Sequence, residues 1–71
     1  MTETTAKKLS DIMRGVAGEL DGAILLIQQA ETKEVFERYK QALGRVMGAL
    51  YFEVLEPIYK EHPDVEPPEH L

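Results

Sequence analysis

Phe36, Tyr39, Leu43, Val46, Leu50 and Val54 recur at steps of three, four, three, four and four. At about 100° per residue these side chains fall on one side of an α-helix. The rest of the chain has to cover that stripe, join to it or leave from it. The spacing predicts a helix from Lys33 to about Leu55. Pro57 lacks an N–H and disfavours helical geometry at the residue before it. The helix is therefore expected to end or kink near Glu56.

A second stripe lies upstream. Leu9, Met13, Val16, Leu20, Ala23, Ile27 and Ala30 step by four, three, four, three, four and three. That is a regular heptad seam, widened on its flanks by Ile12, Ala17 and Ile24. The opposite face carries Lys7, Asp11, Arg14, Asp21 and Gln28. An amphipathic helix of about 25 residues, from about residue 5 to 30 and roughly 38 Å long, is predicted. Thr2, Thr4 and Thr5 are equivalent candidates for its cap.

Ala30, Glu31 and Thr32 form the break, with Thr32 placed to cap the second helix and Glu34 in its first turn. A single helix of about 50 residues is the alternative, but the seam slips phase here and such a helix would expose both stripes. The expected fold is all-α: an antiparallel hairpin of helices 5–30 and 33–56, with Leu20 and Leu43 fully buried at mid-seam. Pro57 suits the first position of a short helical turn over 57–62. Beyond it, three prolines in the ten residues from His62 to Leu71 predict an extended, mobile, acidic tail. The division is a helical unit, 1–62, and a tail, 63–71.

At 71 residues the chain holds one domain at most. Chains this short bury only about 60% of their unfolded surface, and they compensate with disulfides, metals or oligomerisation. There is no Cys, which removes disulfides and thiolate metal sites and fits a reducing, cytoplasmic setting. Net charge is −5 from 13 acidic and 8 basic residues, and residues 57–71 carry four of the acids and one of the bases. Phosphate backbones and anionic lipids repel such a chain. The longest uncharged run, Gly22 to Ala30, is too short to span a bilayer. The N-terminal residues lack the apolar core of a signal peptide.

Each helix has one half that is apolar almost all round. In the first it is Ala23 to Ile27, beside the break. In the second it is Ala49 to Phe52, continued by Val54 and Leu55. A two-helix hairpin cannot bury both sides of either helix. Leu25, Leu26, Tyr51, Phe52, Leu55 and Tyr59 are therefore the predicted dimer or partner interface. A homodimeric four-helix bundle would cover them. With loops at opposite ends, the Leu25–Leu26 patch of one copy would meet the Phe52–Leu55 patch of the other.

Other features read as structural. Gly15, Gly18, Gly22, Gly44 and Gly48 each weaken a helix by about 1 kcal/mol relative to Ala; the spacing of four between Gly18 and Gly22, and between Gly44 and Gly48, also suits a close helix approach. Arg38, Arg45 and Phe52 share a face, but Glu34 and Glu37 beside them suggest a solvated one. His62 and His70 stand among carboxylates without metal-ligand spacing. Ser10 is the one serine, with no histidine placed beside it by sequence. No catalytic, cofactor or metal site is expected. The chain reads as a small cytoplasmic, non-enzymatic protein–protein interaction module: a regulator, adaptor or chaperone-like binder acting as a homodimer on a further protein. The alternatives are a nucleic-acid-binding hairpin dimer, which the acidic balance opposes, and a ligand- or metal-binding bundle, which needs a polar core cavity.

Overall fold

The computed structural model describes residues 1–67, and all regular structure among them is helical. Helix α1 spans Glu3–Ala30 and helix α2 spans Lys33–Ala49. Thr2 caps α1, its hydroxyl accepting from the Thr5 N–H at 3.2 Å, so the helix starts two residues earlier than predicted. Thr32 caps α2 in the same way, accepting from the Val35 N–H at 3.3 Å. Glu31 and Thr32 between them have extended backbone, and two such residues suffice to reverse the chain. Met1 then meets Glu61, Ser10 meets Tyr59, and Ala17 packs with Leu50 and Leu55. These contacts nest around the break, as an antiparallel hairpin requires.

Past Ala49 the backbone widens. Leu50–Leu55 is a π-helical segment, and it passes directly into helix α3, Glu56–Glu61. The helix does not stop at Glu56, which keeps helical angles of φ −58° and ψ −48°. The N–H of Glu56 donates to the Tyr51 carbonyl five residues back. Pro57 lacks the N–H that would serve the Glu53 carbonyl at α spacing or the Phe52 carbonyl at the π spacing set by Glu56 and Tyr51. Pro57 then sits in the first turn of α3, where a missing N–H costs little.

Residues 63–67 also depart from expectation. Pro63–Val65 is a 3₁₀ turn, closed by Val65 N–H to the His62 carbonyl at 3.0 Å and Glu66 N–H to the Pro63 carbonyl at 3.2 Å. The turn packs back against α1 and α3, and Pro67 is buried. The predicted extended tail is thus folded over this part, because the polar flank of α1 gives it a surface to lie on. The rest of the predicted tail, 68–71, lies outside the described residues.

The molecule measures 44 × 21 × 16 Å. Its long axis matches the roughly 42 Å expected of 28 helical residues, and its other axes fit two helices side by side, one helix deep. Such a slab encloses little. Buried apolar residues are Ala6, Ala17, Leu50, Leu55, Ile58 and Pro67, with Ser10 among them. Leu20 and Leu43, expected to be fully buried, are half-buried, since each has a neighbour on one side only. The buried line of α1 also differs from the heptad seam. It runs through Ala6, Ser10, Met13, Ala17 and Leu20, and Val16 is turned outward. Small residues on this line leave room for the π segment and the tail turn against α1, and Ser10 reaches Tyr59 of α3 through its side chain.

Candidate interaction surfaces

Turning the buried line toward Ser10 and Ala17 leaves the other flank of each apolar stripe bare. Ile12, Val16 and Leu26 of α1 and Tyr39 and Val46 of α2 are each 38–64% exposed. Helix geometry places both sets on one face of the hairpin. In α1 they lie about a third of a turn from the buried line; in α2 they lie about a sixth of a turn from the line through Leu43, Met47 and Leu50. Because the helices run in opposite directions, both displacements point to the same side of the slab. The result is an apolar face running from Leu26 and Tyr39 near the loop to Ile12 toward the open end.

The other face carries the folded tail. Asp64, Val65, Glu66 and Pro67 border a polar cleft with Glu3, Lys7, Asp11 and Arg14, nearly half a turn around α1 from Ile12 and Val16. Beside it, the π segment and α3 form a groove of about 440 Å³. Tyr51, Phe52, Leu55 and Tyr59 line it, and Glu56, Lys60 and Glu66 rim it. Glu56 is engaged with Lys60 at 3.2 Å.

The six predicted interface residues do not make one surface. Leu25 and Leu26 are both exposed at the loop end, but about 100° apart, so Leu26 belongs to the apolar face and Leu25 to the opposite side. Phe52 is 71% exposed at the groove. Tyr51 and Tyr59 are half-buried in its wall. Leu55 is only 1% exposed; it is a core residue that forms the groove floor, because the π spacing turns it inward onto Ala17. It is therefore not part of an exposed patch for pairing with Leu25 and Leu26.

Sequence reasoning missed the polar contact that joins α1 to α3. The Ser10 and Tyr59 hydroxyls share a hydrogen bond of 2.8 Å, and Ser10 is 1% exposed. The steps of four, three and four from Ala6 through Ser10 and Met13 to Ala17 carried that signal. Nearby, the Met1 ammonium donates to Glu61 Oε1 at 3.0 Å. His62 Nε2 donates to the Met1 carbonyl at 2.9 Å and lies 3.3 Å from Glu61. The hydrogen bond and charge of the Met1 ammonium, helped by His62, hold the Glu61 carboxyl below its usual range. Arg38 lies 5.9 Å over the Tyr39 ring and Lys40 lies 5.6 Å over Phe36. Among the described residues, no His, Cys, Asp and Glu cluster fit to hold a metal occurs, and no helix is long and apolar enough to cross a membrane.

No family model matches the chain, and no curated protein or solved structure is significantly similar to it.

Proposed function

We propose that the chain is a non-enzymatic protein–protein interaction module that works as a homodimer, two hairpins packing their bare apolar faces into a four-helix bundle. The observation that carries this reading is the face formed by Ile12, Val16, Leu26, Tyr39 and Val46. Surface area supports it. A compact 8.0 kDa protein would expose about 4,450 Å², whereas this chain exposes 5275 Å². The excess, about 800 Å², is close to what each partner contributes to a standard interface. The radius of gyration, 14.4 Å, likewise exceeds the roughly 11 Å of a compact chain of this length.

Energetics set the strength. Ten half-exposed side chains from two copies, at roughly half of 1.5–3 kcal/mol each, give a gross gain on the order of 10 kcal/mol. Association costs about 4–15 kcal/mol. Gain and cost are of similar size, so dimerisation is expected to depend on concentration. Sedimentation equilibrium over a dilution series tests it. Wild type is expected to be dimeric and Val46→Glu to shift to monomer, because the substitution buries an unpaired charge. A wild-type chain that stays monomeric throughout overturns the reading.

A further inference from the structure

The apolar face and the aromatic groove lie on opposite sides of the slab, so a dimer closed through the first leaves the second open. We propose that the groove takes a segment of another protein that carries an aromatic or aliphatic anchor next to Arg or Lys. The proposal deepens the interaction-module reading and rests on it.

Size and shape argue for a side-chain anchor. A groove of about 440 Å³ falls in the range of about 300–1,000 Å³ used by ligand sites, and it has room for one or two large side chains. Phe52 stands open on one side, Tyr51 and Tyr59 form a wall, and Leu55 closes the floor. Aromatic rings give apolar contact and present a negative face to a cation. Tyr51 and Leu55, four apart, share one side of the segment as they would in any helix, and Leu55 also reaches the core.

Charge selects the neighbour of the anchor. Glu53, Glu56, Glu61, Asp64 and Glu66 face a single basic residue, Lys60, over 53–66, a net of −4. In the first half of α1, Lys7, Lys8 and Arg14 exceed Glu3 and Asp11 by one. With the Met1 ammonium, which pairs with Glu61, the open end of the hairpin carries −2. Lys60 is engaged with Glu56, and Glu66, which also borders the cleft of Lys7 and Arg14, lines the same groove. An acidic segment is repelled here and a basic one is steered in. Glu66 supplies a carboxylate for a guanidinium or ammonium beside the anchor.

The test selects random peptides displayed on phage against the full chain, then titrates synthetic fluorescent versions of the survivors by anisotropy. Survivors are expected to carry Arg or Lys within a few residues of an aromatic or aliphatic residue, and their binding is expected to weaken with salt. Phe52→Ala and Glu66→Lys should each lower affinity about tenfold or more. Both residues are outside the core, so circular dichroism should show unchanged helix content. A survivor with its basic residue changed to Glu should regain affinity for the Glu66→Lys chain. No enrichment, neutral or acidic survivors, or binding indifferent to both substitutions overturns the proposal. If Phe52→Ala makes the chain monomeric, a second copy occupies the groove and the proposal also fails. Sedimentation in parallel keeps the readings apart: a dimer that binds no peptide leaves the bundle standing and removes only the groove.

Discussion

Ser10 and Tyr59 show how much one buried polar contact governs at the residue scale. Their hydroxyls meet at 2.8 Å across α1 and α3. Tyr59→Phe leaves the Ser10 hydroxyl buried without this partner, which costs about 1–3 kcal/mol. Ser10→Ala removes the bond but leaves the less buried partner in place, and should cost less, about 0.5–1 kcal/mol. Urea unfolding of the two variants checks the order, and wild-type stability in both would mean the bond does not bear on stability. Glu61 gives a second residue-scale prediction. Its folded pKa is depressed, so its contribution is complete above the ordinary glutamate pKa of about 4.3 and is lost as pH falls through the folded value. The pair is exposed and screened by salt. Glu61→Gln should flatten the acid limb of the stability curve by a small amount at low ionic strength and by none at high.

The element that most changes the fold is the tail turn, Pro63–Val65. It rests on the first half of α1 and on α3, with Pro67 buried against them. Truncating the chain after His62 uncovers that flank of Ala6, Ser10 and their neighbours. The first three turns of α1 are then expected to exchange their amides faster, with the loop half of the hairpin little changed. Hydrogen exchange resolved along α1 reads this directly; uniform protection after truncation would mean the tail rests there without stabilising. The helix caps were readable in advance because capping is local: Thr32 precedes the stripe and Glu34 follows it. The π segment was not. Nothing within Leu50 to Leu55 distinguishes it from α-helix, and what accompanies its register is packing of Leu50 and Leu55 with Ala17 across the hairpin.

Taken whole, the chain is a slab one helix deep, and its stability is tied to what covers its faces. If the bundle forms, mass action links stability to concentration. The melting temperature of wild type should rise with protein concentration, and that dependence should vanish in Val46→Glu. Phe52→Glu, on the other face, should melt with the wild-type concentration dependence. Loss of the dependence in Phe52→Glu would move the dimer interface to the groove.

Periodicity by itself determined that the chain is helical, that it breaks at Glu31 and Thr32, and that its apolar surface exceeds what two helices can bury. Those are statements about neighbours in sequence, and a helix fixes the angle between such neighbours. Only the tertiary structure decided which half of each broad stripe turns inward. Val16 and Ala17 are adjacent and both apolar, and the choice fell to Ala17 because a small residue there admits Leu50 and Leu55. The same long-range packing carried the helix past Pro57, folded the tail onto α1 and sent Leu55 inward while Phe52 stayed out. Each depends on residues more than thirty positions away or on the register they impose, and no local spacing encodes that distance.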